Sequence, residues 1–415
     1  MRRRLPPALH ERDFALLWVT NILTGLATQM ILVAVGWQVY AIHRDPFDLG
    51  LIGLVEFVPL LLLALPAGQL ADVVPRRLII AISLALEIAI AVLLLLVTIS
   101  GERTLWPYLA LAAASGVAAG LSAPALRALL PELVPAELMA GAMAVRSVGW
   151  QISVVAGPAL GGIVFSISPT LLYALSASLF VAGLGCVLAL RKRPAARVPG
   201  SEAPGFSGLI GGIRFLARTR MVLGAILLDL FAVLFGGAIA LAPVFARSIL
   251  HVGPIGLGAL RTAPAVGALA AALMLTRRPL RTSAGPTLLV VVAAFGVCMI
   301  VFGLSRWLPL SLLALAVSGF VDMVSVNIRS TTVALVTPNQ LRGRVTAVEM
   351  VFISASNELG AFESGVVASV VGTTTCVVAG GVATIGIALS WTRLFPSLAK
   401  LGRLEDLRPA PVTVG

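Results

Sequence analysis

The residues of this sequence best placed to do chemistry are ionisable side chains inside long apolar stretches. They are Glu56, Arg146, Asp229, Asp322 and Glu349. Burying a charge in hydrocarbon is costly, so such residues usually have a function. A carboxyl group in an apolar cavity can bind and release a proton near neutral pH. The pattern predicts proton transfer inside a membrane, with Asp229 as the main proton-binding group and Asp322 or Glu56 as alternates.

A structural salt bridge is the alternative interpretation of Asp229. Arg146 and Arg261 are the two basic residues that fall within apolar stretches. Either could hold the carboxylate in its charged form, because a nearby opposite charge favours ionisation. The sequence leaves both roles of Asp229 open.

Other reaction chemistries lack the residues they need. The three histidines, His10, His43 and His251, fall outside the apolar stretches. The sequence contains no His-Glu-x-x-His motif, no Gly-x-Ser-x-Gly turn and no Gly-x-x-x-x-Gly-Lys-Ser/Thr phosphate loop. The three cysteines are far apart within apolar runs, which is typical of small buried side chains rather than metal ligands. We expect neither an enzyme nor a bound metal or cofactor.

The composition indicates a helical membrane protein. Apolar residues make up 59% of the 415 residues and charged residues only 12%, which is more apolar surface than a water-soluble domain can bury. The apolar residues form long unbroken runs, which indicate helices rather than the alternating strands of a membrane barrel. The net charge of +12 comes mainly from arginines in short clusters between these runs. This charge therefore indicates membrane topology and not a nucleic-acid partner.

Twelve stretches of the chain are long enough to cross a membrane. A hydrocarbon core of about 30 Å requires about 20 helical residues. The predicted spans are 14–41, 50–71, 78–99, 107–126, 138–166, 169–190, 221–246, 255–275, 285–304, 308–329, 343–371 and 373–392. Pro169 separates the fifth span from the sixth, and Gly372 separates the last two.

The distribution of basic residues predicts the orientation of these spans. With the amino terminus in the cytosol, 24 Lys and Arg lie in cytosolic segments and four in outer loops, as the positive-inside rule requires. We expect a multi-pass protein of a bacterial-type plasma (inner) membrane with both termini cytosolic. The first apolar run, Phe14 to Ile42, is too long for a cleaved signal peptide and is expected to stay as the first span.

The longest interruption of the apolar pattern lies between the sixth and seventh spans. It begins at Arg191 and continues through a stretch rich in proline and glycine. Residues 209–220 then combine apolar side chains with arginines, as in an amphipathic helix on a membrane surface. The predicted domains are an amino-terminal six-helix bundle at 1–190, a cytosolic linker at 191–220, and a carboxy-terminal six-helix bundle with a short tail at 221–415.

The two halves are related by an internal repeat with an offset of 203 residues. The offset aligns Gly50, Ile52, Gly53 and Leu54 with Gly253, Ile255, Gly256 and Leu257. It also aligns Pro135–Gly162 with Pro338–Gly365, with eight identities. Arg146 and Glu349 are counterparts of opposite charge under this offset, so we expect them to form a pair. A parallel repeat predicts two bundles with a substrate site between them near the middle of the membrane.

Two motifs make the chain resemble the major facilitator superfamily over essentially its whole length. Gly68–Arg77 is similar to the signature Gly-x-Leu-Ala-Asp-Arg-x-Gly-Arg-Arg/Lys, with Val73 and Pro75 in place of the usual Arg and Gly. Ser153–Gly162 is similar to the Gly-x-x-x-Gly-Pro-x-x-Gly-Gly motif of its exporters. The loop Val336–Val345 and the first motif also resemble the enterobactin-exporter-like branch. The resemblance implies an all-α membrane fold of 12 transmembrane helices in two pseudo-symmetric six-helix bundles, with a cavity that opens alternately to either side.

The first motif implies a gate at the inner end of the second span. The residues expected to form it are Gly68, Asp72, Arg76, Arg77 and Arg127. Asp72 is expected to latch the outward-open state by binding Arg127 or the amino terminus of the eleventh span, where the helix dipole attracts an anion. The alternative is that the three arginines only enforce topology.

The second motif places small residues on one helix face. Ser153, Gly157 and Gly161 stand four residues apart, and Pro158 and Gly162 lie beside them. Small residues let another backbone approach closely. In the superfamily this span borders the opposite bundle, so we expect a sliding surface. Static helix packing is the alternative.

The resemblance also implies which polar residues line the substrate cavity. They are Asn21, Thr24, Thr28 and Gln29 of the first span, with Asp229 and Asp322 of the seventh and tenth. For the residues of the first span, hydrogen bonds between helices are the alternative. The fourth span lacks the arginine typical of many drug antiporters, and Arg146 is a candidate substitute.

These observations predict a secondary active transporter. It is expected to export a small organic molecule, siderophore-like or drug-like, in exchange for protons. We expect its partners to be that substrate, protons and the lipid bilayer, with no nucleic acid, and we expect a monomer. A lipid or lysolipid flippase, or an importer, of the same fold is the alternative.

Overall fold

The computed structural model describes residues 6–191, 213–278, 282–338 and 341–407. Apolar runs form α-helices there, because a helix satisfies its own backbone hydrogen bonds where water is absent. The described residues contain no strand.

Six long helices form from the first half of the chain. They are α1 (Arg12–His43), α2 (Pro46–Val73), α3 (Arg76–Ser100), α4 (Trp106–Leu133), α5 (Met139–Ile167) and α6 (Pro169–Leu188). Each coincides with a predicted span to within several residues at either end.

Six more long helices form from the second half. They are α7 (Arg220–Gly236), α8 (Gly253–Arg277), α9 (Ala284–Leu304), α10 (Leu308–Val336), α11 (Arg342–Val371) and α12 (Thr373–Leu394). One further turn of helix, α13 (Pro396–Ala399), follows α12.

The seventh predicted span, 221–246, is not one continuous helix. Its α-helix ends at Gly236, and the chain continues as short 3₁₀, α and π turns as far as Ile249. Gly236 and Gly237 are adjacent poor helix formers, and Pro243 has no N–H to donate. These residues explain the interruption.

Two helix boundaries follow from local chemistry that the sequence predicts. Pro169 is the first residue of α6. Its lack of an N–H has no cost there, because the first N–H groups of a helix have no partner within the helix. The hydroxyl of Ser168 caps that helix by accepting a hydrogen bond from the Leu171 N–H, at 3.3 Å. Gly372 separates α11 from α12 with a φ of 87°, a conformation that favours glycine.

Eleven segments of the described residues are long and apolar enough to cross a membrane. They include every long helix except α11, which is 30 residues long but contains several charged side chains. These residues are Arg342, Arg344, Glu349, Glu358 and Glu363. The predicted all-α membrane fold is confirmed, and α11 occupies the position of the remaining predicted span.

The described chain divides into two compact units. The first comprises Met1–Arg44, Leu51–Ala203 and Val252–Thr262, as far as these ranges are described. The second comprises the described residues of Asp45–Gly50, Pro204–His251 and Ala263–Gly415. The start of α2 thus belongs to the second unit and the start of α8 to the first. The predicted domain limits stay a prediction.

Only part of the predicted linker can be compared with the structure. Residues 213–218 are helical, which agrees with the end of the expected amphipathic helix at 209–220. Residues 192–212 lie outside the described residues.

Corresponding helices of the two units have corresponding partners. In the first unit α1 packs against α5 and α6, and α3 packs against α4 and α6. In the second unit α7 packs against α11 and α12, and α9 packs against α10 and α12. Phe14, Leu130 and Phe180 lie in the core of the first unit, and Leu228 and Trp391 in that of the second. The same packing scheme therefore occurs twice, as expected of a duplication.

Candidate functional site

A buried ion pair joins two helices of the second unit. Nη1 of Arg329, on α10, lies 2.5 Å from Oδ2 of Asp229, on α7. Arg329 is 6% exposed and Asp229 is 8% exposed. Asp229 stands in the middle of its helix, where a charge must find a partner inside the protein.

Two further acids lie beside this pair. Glu349 of α11 lines a cavity of about 10 Å³ together with Asp229 and Arg329. Asp322 of α10 lines a second cavity, of about 20 Å³, together with Asp229 and Ser325. We call Asp229, Asp322, Arg329 and Glu349 the acid cluster. It contains three carboxyl groups and one guanidinium.

The ion pair does not use all the donors of Arg329. A guanidinium has five N–H donors, and Nε of Arg329 is buried without a hydrogen-bond partner among the described residues. A buried ion pair stabilises a protein only when its attraction and hydrogen bonds offset the loss of water. Arg329 therefore retains the capacity to bind a second carboxylate.

The basic partner of Asp229 differs from the one expected. The sequence suggested Arg146 or Arg261, but the structure pairs Asp229 with Arg329. Arg329 lies seven residues after Asp322 on α10, and a spacing of seven residues is two helical turns on the same face. The sequence analysis did not identify Arg329, and this spacing is the signal that could have placed it on the same helix face as Asp322.

Two other charged residues predicted to act inside the membrane lie on helices of the first unit. Arg146 is a partly buried residue of α5, and its expected pairing with Glu349 stays a prediction. Glu56 is a partly buried residue of α2. Its backbone faces α4 so closely that a Cβ at Gly116 would lie 2.0 Å from the Glu56 carbonyl oxygen.

The polar residues predicted on the first span have different surroundings. The Thr24 hydroxyl donates to the Thr20 carbonyl of its own helix at 2.9 Å. Gln29 packs against α5 at Gly157. Asn21 is partly buried and Thr28 is exposed. Helix packing accounts for Thr24 and Gln29, while a contact of any of the four with substrate stays a prediction.

The predicted gate motif joins the start of α3 to the ends of two other helices. The Arg76 guanidinium forms an ion pair with Glu132 of α4 and donates to the Ala128 carbonyl at 2.8 Å. Arg77 donates through Nε to the Val187 carbonyl at the end of α6, at 3.0 Å. Glu132 is a partner that the sequence analysis did not identify.

The remaining residues of the predicted gate, Gly68, Asp72 and Arg127, show no contact among the described residues that identifies their role. Gly68 lies within α2, and Arg127 is an exposed residue of α4. The side chain of Asp72 lies outside the described part of the chain, so the expected latch stays a prediction. Arg76 and Arg77 therefore connect the start of α3 to the ends of α4 and α6, and a gating role of the motif stays a prediction.

The small-residue face of α5 packs against α1 of the same unit. The Ser153 hydroxyl donates to the Ile22 carbonyl at 3.2 Å. A Cβ at Gly157 would lie 2.5 Å from the Gln29 Cβ, and one at Gly161 would lie 3.0 Å from the Met30 Cα. Close packing on α1 accounts for these small residues, and the expected sliding surface stays a prediction.

The two other residues of that motif contact a different helix. A Cβ at Gly162 would lie 2.5 Å from the Pro254 carbonyl oxygen and 3.1 Å from the Gly258 Cα. A Cβ at Gly258 would in turn lie 2.5 Å from the Pro158 carbonyl oxygen. Pro158 and Gly162 therefore allow the start of α8 to approach the backbone of α5 within the first unit.

Comparison with known proteins gives a family match over almost the whole chain. Residues 5–405 match the family described as transmembrane secretion effector. The enterobactin exporter EntS of Citrobacter koseri is 25% identical over 405 residues, which cover 96% of this chain and 94% of that protein. The multidrug efflux pump Tap of Mycolicibacterium fortuitum is 26% identical over 366 residues, covering 84% of this chain and 87% of that protein.

Two solved structures of similar fold are more distant in sequence than these relatives. A bacterial homologue of the human lysosomal transporter Spinster, in an inward-facing and unoccupied conformation, has a TM-score of 0.73 at 16% identity, covering 94% of this chain and 98% of that one. The nucleoside transporter NupG has a TM-score of 0.67 at 15% identity, covering 92% of this chain and 99% of that one. These likenesses show the fold.

Proposed function

The chain belongs to the transmembrane secretion effector family of the major facilitator superfamily, and on this premise we propose that it exports a small organic molecule across the bacterial inner membrane in exchange for protons. The family and the exporter-named relatives make it a multi-pass membrane transporter rather than an enzyme. Proton coupling, direction and substrate are the parts that we propose.

The acid cluster is the observation that carries proton coupling. Three carboxyl groups lie around one guanidinium inside the second unit. If all were ionised, two negative charges would remain uncompensated in a region largely shielded from water, which is unfavourable. Proton binding is the simplest way to reduce that charge.

Proton binding to Asp229 would act directly on the contact between two helices. The charge of Asp229 holds Arg329, and a proton on the carboxylate removes that charge. Arg329 can then turn to Asp322 on its own helix or to Glu349 on α11. Each choice of partner favours a different arrangement of α7, α10 and α11, so proton occupancy is linked to helix position.

The small volumes of the two cavities suggest that the acid cluster binds protons and that the substrate binds at another site. Their volumes, about 10 and about 20 Å³, compare with the roughly 10–15 Å³ needed to hold one water molecule. They are too small for an organic substrate. We therefore assign the acid cluster to ion coupling and expect the substrate to bind elsewhere.

Export is proposed from the names of the relatives. Two proteins that match most of this chain are named as an enterobactin exporter and a multidrug efflux pump. Both names describe the outward movement of an organic compound, which is the direction we propose here. Which compound moves is left to experiment.

The test is efflux from proteoliposomes with and without an imposed pH gradient. The purified protein is assayed against a panel of siderophore-like and drug-like compounds and one labelled lysolipid, while an internal dye reports proton movement. The wild type should transport at least one organic compound faster with the gradient and move protons in the opposite direction. Movement of the lysolipid alone would instead support a flippase.

Asp229→Asn isolates the coupling step. This variant should lose gradient-driven transport but retain substrate exchange at equal pH, because exchange requires no net proton movement. Glu102→Gln, which changes an exposed acid outside the long helices, is the matched control and should retain both activities. Full gradient-driven transport by Asp229→Asn would exclude Asp229 as the coupling residue.

A further inference from the structure

Arg261 is a basic residue within a membrane helix that the acid cluster does not use. It lies on α8, eight residues after Gly253 at the start of that helix. At 1.5 Å per residue, this places it about 12 Å along the helix axis. The apolar α8 segment is long enough to cross a membrane, so Arg261 stands well inside the hydrocarbon region.

The guanidinium of Arg261 is not satisfied by the described part of the protein. Its Nε is buried and has no hydrogen-bond partner there. Arg261 takes part in neither of the ion pairs that hold Arg76 and Arg329. Its Nε is buried, but the residue as a whole is only partly buried.

The backbone around Arg261 is held firmly. One turn earlier, Gly258 packs against Pro158 and Gly162 of α5. The next residue, Thr262, donates from its hydroxyl to the Val155 carbonyl of α5 at 3.2 Å. The position of Arg261 on this helix is therefore fixed within the first unit.

A fixed cation inside a membrane that has no acidic partner among the described residues can be neutralised by the negative charge of a bound ligand. An unpaired charge in hydrocarbon is energetically costly, and such residues mark substrate or ion pathways. The planar guanidinium binds carboxylate and phosphate through two parallel hydrogen bonds. An anionic ligand would supply both the missing charge and the missing acceptors.

We propose that Arg261 is a substrate-binding residue and that the transported compounds are organic anions. This inference rests on the proposed transport function and adds the chemical class of the substrate. The anionic group binds the guanidinium, and the apolar part of the molecule lies against apolar side chains. An uncharged or cationic compound of the same size lacks this contact.

The experiment compares two dyes of similar size and opposite charge in proteoliposomes. Carboxyfluorescein is the anion and rhodamine 123 is the cation. The wild type should transport carboxyfluorescein faster than rhodamine 123. Arg261→Gln should reduce carboxyfluorescein transport about tenfold or more, as expected for loss of a charge-assisted hydrogen bond, and leave rhodamine 123 unchanged. Arg261→Lys keeps the charge and should retain a larger part of the activity.

Arg103→Gln is the matched control. Arg103 is an exposed residue just before α4, and its loss should alter neither dye. Equal loss of both dyes in Arg261→Gln, or undiminished transport of the anion, would overturn the proposal. Wild-type transport of the cation but not of the anion would overturn it while leaving the transport function intact. Transport of neither dye nor any compound of the panel would contradict the transport function itself.

A second measurement uses the wild type alone and so does not depend on the folding of a variant. Phenylglyoxal modifies accessible arginines, and mass spectrometry reports the modified fraction of each. Carboxyfluorescein should lower modification of Arg261 while rhodamine 123 should not, and Arg103 should be unaffected by either dye. Modification of Arg261 that is indifferent to the anion would contradict binding at this residue.

Discussion

At the scale of single residues, Arg329 is the centre of the acid cluster. It pairs with Asp229 and has a further buried donor without a partner. Glu349 lines one of the two small cavities beside Asp229, and Asp322 lines the other. The four residues are therefore unequal, since the cluster contains three acids but one guanidinium.

This inequality predicts different losses of stability for the two partners of the ion pair. Arg329→Gln leaves the buried Asp229 and two partly buried acids without a cation and should destabilise the protein by about 3–5 kcal/mol. Asp229→Asn leaves Arg329 with two other carboxylates and should destabilise it less. The double variant should lie between the two. Unfolding in detergent, followed by intrinsic fluorescence at a series of denaturant concentrations, measures all three.

The control for this series is Arg103→Gln, which removes an exposed arginine and should change stability by no more than about 0.5 kcal/mol. Equal destabilisation by the two single variants would contradict the shared role of Arg329. A larger loss for Asp229→Asn would do so as well.

The sequence allowed part of this cluster to be predicted. Asp229, Asp322 and Glu349 are recognisable because each is an acid within an apolar run. Arg329 was not recognised as the partner, because it stands at the end of its predicted span, where arginines commonly mark topology. The distance between α7 and α10 depends on tertiary packing, which hydropathy does not encode.

At the scale of helices, close packing depends on small residues at specific positions. The contact between α2 and α4 is an example, because Gly116 lies directly against the Glu56 backbone. The motif face on α5 is another, and it packs on α1. The sequence predicted that these small residues would allow helices to pack closely. Which helix packs against them is known only from the structure.

Substitution of Gly116 should therefore be strongly destabilising. A Cβ at position 116 would lie only 2.0 Å from the Glu56 carbonyl oxygen. The side chain introduced by Gly116→Val therefore forces α2 and α4 apart. We expect a loss of about 1–3 kcal/mol or more. The measurement is the apparent melting temperature in detergent.

Gly185→Ala is the matched control for this prediction. Gly185 also lies in a long helix, but a Cβ there would meet no atom within 4 Å. Alanine is a better helix former by about 1 kcal/mol, so this variant should be as stable as the wild type or slightly more so. A similar response of the two variants would contradict the tight contact at Gly116.

The contact of α3 with α4 through Arg76 gives a second prediction for helices. Glu132→Gln removes the carboxylate from a largely buried arginine and should destabilise the first unit by about 1–3 kcal/mol. Glu137→Gln, which changes an exposed acid a few residues later, should have little effect. Thermal unfolding of both variants tests the prediction, and equal melting temperatures would show that the ion pair contributes nothing.

At the scale of the whole molecule, the repeat duplicates the packing of helices but not their charges. Corresponding helices have corresponding partners in the two units. The offset of 203 residues places Leu26, Ala119, Leu126 and Arg146 at the positions of Asp229, Asp322, Arg329 and Glu349. The acid cluster is therefore specific to the second unit. Arg261, in contrast, belongs to the first unit, because the start of α8 lies in that unit.

The orientation of the whole molecule in the membrane is the remaining prediction. Of the 24 Lys and Arg assigned to the cytosolic side, Arg329 is buried in α10. The other 23 still outnumber the four in the outer loops, so both termini should be cytosolic. Green fluorescent protein fused after Gly415 should fluoresce, because it folds in the cytosol. Alkaline phosphatase should be active when fused after Arg103 and inactive when fused after Arg191, because it requires the oxidising periplasm. The opposite result at any of the three positions would mean that the charge asymmetry does not determine the orientation of this chain, and the outer and inner ends of every helix would have to be exchanged.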